Sequence, residues 1–300
     1  MNRKRLPYDA VVIGGGAAGL VTATLAARLG ARTALVERER LGGDCTWHGC
    51  IPSKTLLRSA ATAQAVRNAG RFGIATGAPR VVWSEIRSRL DEIRERIYRE
   101  ADAPEVVAKS GIEVIFGAAR FVDARAVRVP HTDGGEAFLA AGRFFICSGS
   151  APKPFPFDVP YLTSETIFDL DEQPKRLLIV GAGPLGIESA QAFARLGSEV
   201  HVVTRARRIL PRDDAEHAAT LQAALEAEGV RFTFEAEPVG AELVGDERRV
   251  SLRDGTVLAA DAILSAIGRV PRIAQLGVEA AGVRTRDGAI AVDARGRTSA

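Results

Sequence analysis

Cys45 and Cys50 stand five positions apart in the run from Leu41 to Lys54, and thiols this close can do redox chemistry, hold a metal or lie inert. On a regular helix they would be about 7.5 Å apart along the axis, so a bridge between them requires a distorted turn. Gly49 makes that distortion cheap. Pro52 suits the first turn of the helix that follows, which leaves Cys50 near a helix N-terminus, where a thiolate is stabilised. A thiol poised to ionise beside a second one reads as a redox pair. Zinc is short of ligands, because His48 is the sole close histidine and no second Cys/His pair exists. Two inert thiols remain the bland alternative. His48 reads as an ordinary loop residue, and Cys147, after Phe144-Phe145-Ile146, as a core thiol.

The second kind of chemistry lies in the glycines. Gly14-x-Gly16-x-x-Gly19 has the spacing that lets a backbone turn and a helix N-terminus approach a pyrophosphate. Glu37 follows Gly19 by 18 positions, where a carboxylate accepts bonds from ribose hydroxyls. A second copy, Gly181-x-Gly183-x-x-Gly186, has Thr204 at the same offset, followed by Arg205, Arg207 and Arg208. Guanidinium groups at this strand end are what a 2′-phosphate calls for, so the second site is expected to prefer NADPH to NADH. The alternative is a solvated arginine loop that tolerates either cofactor.

Elements that position these residues follow from the pattern. Residues 8–13 read as a buried strand, 17–29 as a small-residue helix ending at Gly30, and 33–37 as the next strand. The same order recurs as a strand from Arg176, a helix from Pro184 to about Leu196, Gly197 and the strand Glu199–Val203. The expected fold is α/β: two tandem Rossmann-like dinucleotide-binding domains, each with a small antiparallel β element. Between them, 51–69 read as an Ala-rich helix, Ser84 as the cap of a helix bearing Ile86, Leu90, Ile93 and Ile97, and 112–146 as short strands broken at His131–Gly135. Residues 250–267 alternate as strands around Asp254-Gly255. Domain limits are expected at 1–150, 151–270 and 271–300, the first at the Pro-rich stretch 151–156.

Composition narrows the classes. Among 300 residues, 46% are hydrophobic and 26% charged, which suits a globular chain with a sizeable core. The net charge of +3 is too small for a polyanion-binding surface, so nucleic acid is not expected as a partner. Three cysteines exclude a disulfide-stapled scaffold and favour a cytoplasmic setting. Arg3-Lys4-Arg5 before the apolar stretch 11–27 imitates a leader, but glycines 14, 15, 16 and 19 interrupt it, and no run resembles a membrane span.

The run GGDCTWHGCIPSK, residues 42–54, resembles the redox-disulfide signature of the class I pyridine nucleotide-disulfide oxidoreductases. Val11 to Gly19 is similar to that family's first FAD motif, Cys147-Ser148-Gly149-Ser150-x-Pro152 to its ATG-type element, and Ala266-Ile267-Gly268-Arg269-x-Pro271 to its later A-x-G-R-x-P element. Gly-Pro-Leu-Gly in the second glycine loop and Ile209-Leu210-Pro211-Arg212 look closest to mercuric reductase-like members. The resemblance implies that NADPH reduces FAD and that the flavin opens a Cys45–Cys50 disulfide. Cys50 would then be the flavin-proximal, charge-transfer thiol and Cys45 the interchange thiol. Lys54 and Glu188 match an ion pair beside the flavin. Gly43, Gly117, Ser148, Gly149, Gly268 and Arg269 join the glycine loops and Lys54 as cofactor-binding positions; no resident metal is implied.

The family pattern runs on past residue 300 to a Gly-Asp element, a dimerisation domain and an acid-base His-Glu pair contributed across the dimer. None of His48, His131, His201 and His217 sits in a matching motif. The expectation is a fragment or natural truncation of a homodimer that reduces a small-molecule disulfide or a metal ion, with weak NADPH oxidation by the chain alone. Quinone or dye reduction without the cysteines, and a non-catalytic redox module, are the other readings.

Overall fold

The computed structural model describes residues 6–130 and 134–300, so His131–Asp133 of the break expected at His131–Gly135 lie outside the described residues. The chain divides into two compact units. The first comprises Met1–Trp47, Glu95–Ala151 and Val270–Ala300; the second comprises His48–Arg94 and Pro152–Arg269.

In the first unit, β1 (Tyr8–Ile13), β2 (Thr33–Glu37), β3 (Ile112–Phe116), β4 (Arg120–Asp123), β5 (Ala126–Pro130) and β6 (Glu136–Ile146) form one sheet in the order β3-β2-β1-β6-β5-β4. β1, β2 and β3 are mutually parallel, and the continuous apolar runs of β1 and β2 suit strands covered on both faces. The eleven-residue β6 serves both halves of the sheet: Ala141–Ile146 pair parallel with β1, while Glu136–Ala140 pair antiparallel with β5. The antiparallel element is therefore an extension of the main sheet. Residues 112–116, within the span expected as short strands, form its parallel edge against β2, with Ile112 and Ile115 buried. Helix α1 (Ala17–Arg28) covers one face, its Ala23 packed with Val12, Leu35 and Leu41, and Val11, Val36, Phe121, Leu139 and Leu276 fill the other.

The same unit holds α2 (Gly43–Trp47), which carries Cys45. The second holds α3 (Cys50–Asn68), α4 (Trp83–Ile97, whose last three residues belong to the first unit) and, after β7 (Ser150–Pro152), the parallel sheet. Its strands β8 (Arg176–Val180), β9 (Glu199–Val203), β10 (Arg231–Thr233) and β14 (Ala262–Ser265) run in the order β10-β9-β8-β14, with β11 (Pro238–Val244), β12 (Glu247–Leu252) and β13 (Val257–Ala260) as an antiparallel sheet. Helix α5 (Pro104–Ala108) belongs to the first unit; α6 (Pro184–Leu196) and α7 (Ala215–Ala227) belong to the second.

Both halves are thus α/β with parallel sheets of Rossmann type. Residues 48–94, drawn with the first domain from sequence, cluster with the second unit. Leu56, Ala60 and Ala63 of α3 and Trp83 and Leu90 of α4 share one apolar core with Leu177, Ile187 and Phe193, and the Trp83 ring lies 5.7 Å from that of Phe193. Ser84 falls inside the first turn of α4 and does not cap it, since helical geometry begins at Trp83, whose indole is anchored by donating to the Leu170 carbonyl at 2.9 Å.

Candidate functional site

In the first unit, β1 runs into the glycine loop and α1. A Cβ on Gly14 would stand 2.3 Å from the Cys147 carbonyl oxygen, and one on Gly19 would collide with the Gly14 carbonyl, so both glycines are demanded by the fold itself. Gly16 differs. A Cβ there would meet nothing closer than 3.7 Å, and Gly16 caps α1 with no side-chain bond and no acidic residue in the first turn. Its nearest neighbour is the Gly43 Cα, at ordinary contact distance. Glu37, at the end of β2, turns its carboxylate onto this loop, accepting the Gly15 N–H at 2.7 Å and the Glu39 N–H at 2.9 Å.

The second unit repeats this geometry. Gly181 would meet the Ala266 carbonyl and Gly186 the Gly181 carbonyl, whereas Gly183, the N-cap of α6, would meet nothing within 4 Å. Each loop therefore presents an uncapped helix N-terminus beside a glycine whose Cβ would meet no clash, with open space at Gly183 and an ordinary contact with Gly43 at Gly16, which fits a dinucleotide pyrophosphate. The strand ends differ in chemistry. Thr204 is buried and its hydroxyl accepts the Ala206 N–H at 3.2 Å, which leaves no carboxylate for ribose hydroxyls. Arg205 and Arg207 are exposed, Arg207 pairing with Glu235 at 2.9 Å. Arg208 is spent on its own loop, donating to the carbonyls of Leu210 at 2.7 Å and Asp213 at 2.8 Å.

The remaining positions have local roles. Gly43 packs backbone to backbone on Gly16, beside the bond from Gly42 N–H to the Gly15 carbonyl at 2.9 Å. Gly117 donates to the Glu37 carbonyl and has no room for a Cβ against Pro130. Ser148 follows Cys147 over the first glycine loop, and the Gly149 carbonyl accepts the Arg272 N–H. The Gly268 carbonyl accepts the Lys153 N–H, and Arg269 donates to the buried Ser164 hydroxyl at 2.9 Å.

Cys45 lies within α2 of the first unit and is half-buried; Cys50 is exposed and opens α3 of the second, with Gly49 as a cap that makes no side-chain bond. Pro52 sits in the first turn of α3, and Lys54, one turn from Cys50, donates to Glu188 of α6 at 2.7 Å. Cys147 is half-buried, and burial pushes its thiol pKa upward, against a smaller opposing effect of the Thr22 hydroxyl.

Sequence reasoning missed what fixes α2. Buried Asp102 accepts the Thr46 hydroxyl at 2.6 Å, and the Arg40 guanidinium lies 3.4 Å from the Trp47 ring centroid and 4.3 Å from that of Tyr98. Asp102 is 56 positions from Thr46, and no local pattern signals such a pair. A cavity of about 800 Å³ lies elsewhere, against Tyr161, Arg176 and Asp261. Arg176 opens β8, whereas the glycine loop follows the end of that strand, so the cavity is not the nucleotide site.

Residues 8–300 match the pyridine nucleotide-disulphide oxidoreductase family. The chain belongs to that family. Among curated relatives of this oxidoreductase, dihydrolipoyl dehydrogenase of Zymomonas mobilis is 33% identical over 97% of the chain and 64% of its own length. Mercuric reductase of Lysinibacillus sphaericus is likewise 33% identical, over 97% of the chain and 54% of its length. The two named activities stand level at this identity, so closeness to mercuric reductases over dihydrolipoyl dehydrogenases is not distinguished. Solved structures agree: LpdA from Mycobacterium tuberculosis superposes with a TM-score of 0.89 at 28% identity, covering 97% of this chain and 65% of that one. The HOCl-induced flavoprotein disulfide reductase RclA of Escherichia coli gives 0.82 at 29% identity, over 97% and 64%. The oxidoreductase thus spans about 54–64% of the length of the curated relatives named here. Among the described residues no helix is long and apolar enough to cross a membrane.

Proposed function

We propose that this chain forms the nucleotide-binding and dithiol part of an FAD-dependent oxidoreductase that passes electrons from NADPH to the Cys45/Cys50 pair and on to a small-molecule disulfide or metal-ion acceptor. The observation that carries this reading is the pair of uncapped helix N-termini, each beside a glycine whose Cβ would meet no clash, with opposite chemistries at the strand ends that follow. Glu37 suits the free ribose hydroxyls of FAD, and Arg205 with Arg207 suits the 2′-phosphate of NADPH. Arg208 takes no direct part, because its guanidinium already serves four carbonyls of its loop. When bound, FAD relays two electrons between a nicotinamide and a dithiol.

The side chains then have separable roles. Cys50 opens α3, and Lys54, held by Glu188, sets a positive charge one turn away. In the reduced pair, the Cys45 thiolate attacks one sulfur of the substrate disulfide, forms a mixed disulfide and releases the first substrate thiolate. Cys50 then attacks the Cys45 sulfur, releases the second substrate thiolate and leaves Cys45 and Cys50 joined. Two electrons have moved to substrate, and two protons from solvent neutralise the products. The whole protein acts as a homodimer in the cytoplasm. Replacing both Cys45 and Cys50 by Ser is expected to abolish NADPH-dependent disulfide reduction. Survival of disulfide reduction in that variant contradicts the dithiol route, and quinone reduction that persists alone marks a flavin activity independent of it.

A further inference from the structure

The helix that carries Cys45 has five residues, Gly43–Trp47, far too few to hold its own shape in water. Its order must come from elsewhere. After α4 the chain does not leave the helix cleanly: Tyr98–Asp102 form a π-helical turn, closed by a bond from the Ala103 N–H to the Tyr98 carbonyl at 2.7 Å. Such turns are rare and are frequently found at functional sites. This one aims two. Asp102, 9% exposed, accepts the Thr46 hydroxyl at 2.6 Å, and Tyr98 places its ring 5.4 Å from that of Trp47. Arg40 stacks on both rings and pairs with Glu95 at 2.9 Å, while the Trp47 indole donates to the Leu41 carbonyl at 2.8 Å. Thr46 and Trp47 are the two residues that follow Cys45.

We propose that Asp102, aimed by the π-helical turn, is a positioning residue for Cys45: by holding Thr46 it fixes α2 and so sets how readily Cys45 closes onto Cys50. This inference rests on the dithiol cycle proposed above. A buried carboxyl group with a hydroxyl donor holds a fixed geometry, because breaking the bond leaves buried polar atoms without a partner. Gly42 is part of the same fit, since a Cβ there would stand 2.8 Å from both the Asp102 carboxylate and the Thr46 side chain.

The test is redox equilibration of the reduced chain with defined ratios of reduced to oxidised glutathione, followed by alkylation and peptide mass mapping. The readout is the effective concentration of the Cys45/Cys50 pair, with Cys147 labelling as an internal measure of intact folding. Thr46→Val, which removes the hydroxyl with little change of shape, is expected to lower that effective concentration about tenfold. Thr46→Ser, which keeps the hydroxyl, is expected to stay within about twofold of wild type, with Cys147 labelling unchanged in both. A Thr46→Val value within twofold of wild type overturns the proposal. Should Thr46→Val expose Cys147 by unfolding, Arg40→Met loosens the same helix from its partly exposed side, and an unchanged effective concentration there overturns the proposal equally. If the wild-type chain forms no Cys45–Cys50 disulfide at any glutathione ratio, the dithiol cycle itself fails, an outcome distinct from an unaltered variant.

Discussion

Glycines of one motif are not alike in what requires them, and substitutions separate the two kinds. Gly14 and Gly181 have φ values of 106° and 116° and no room for a Cβ, so Gly14→Ala or Gly181→Ala is expected to destabilise its unit by more than about 2 kcal/mol in urea unfolding. Gly16→Ala and Gly183→Ala should leave unfolding midpoints almost unchanged while weakening FAD or NADPH binding, respectively, by tenfold or more in a titration. Equal loss of stability at Gly183 would show that packing alone keeps that position small. At the second strand end, replacing Arg205 and Arg207 by Ala should cost roughly 10- to 100-fold in NADPH affinity with little change for NADH, in line with charge-assisted hydrogen bonds of about 1.5–3 kcal/mol. Lys54 and Glu188 were readable as a pair only through the family motif, since 134 residues separate them. Because Lys54 is 63% exposed, Lys54→Met is expected to shift stability by less than about 1 kcal/mol while slowing electron transfer to the dithiol. An unchanged rate of thiol appearance after NADPH addition would remove Lys54 from the mechanism.

At the scale of elements, legibility followed the period of the pattern. β1, β2 and β8 carry uninterrupted apolar runs, β9 is apolar but for Glu199 and His201, and α6 ends at Gly197 in the left-handed conformation, so strand, turn and helix were plain from the sequence. Where non-local contacts decide, the pattern was silent. Nothing near Ile112–Phe116 signals a parallel edge strand, because its partner β2 lies some 75 positions earlier. Ser84 looked like a cap, yet the helix starts one residue sooner because Trp83 is buried against Phe193. The dithiol segment was legible in its types and spacing, and its division between two successive helices follows from the break at His48-Gly49. The support of α2 was not, since Thr46, Trp47, Tyr98 and Asp102 meet only after folding.

For the whole molecule, buried titratable groups tie stability to pH. His201 lies in β9, bonded to the Thr233 hydroxyl at 2.8 Å, and burial, reinforced by nearby Arg231, holds its pKa below the ordinary histidine value. The unfolded chain takes up a proton there more readily than the folded one, so His201 lends stability above about pH 6.5 that is lost as pH falls through that value toward the lower folded pKa. His201→Asn is expected to flatten the decline in unfolding midpoint between about pH 7 and pH 5.5; a parallel decline in the variant would assign the effect to other groups. The central claim is that the two nucleotide sites feed one pair of thiols, and it is tested most directly by thiol mapping. The chain, with FAD added, is reduced anaerobically by one equivalent of NADPH, quenched with an alkylating agent and mapped by mass. The account predicts that labelling appears at Cys45 and Cys50 on NADPH addition while Cys147 is unaffected. Consumption of NADPH with no new label at Cys45 and Cys50 would contradict it.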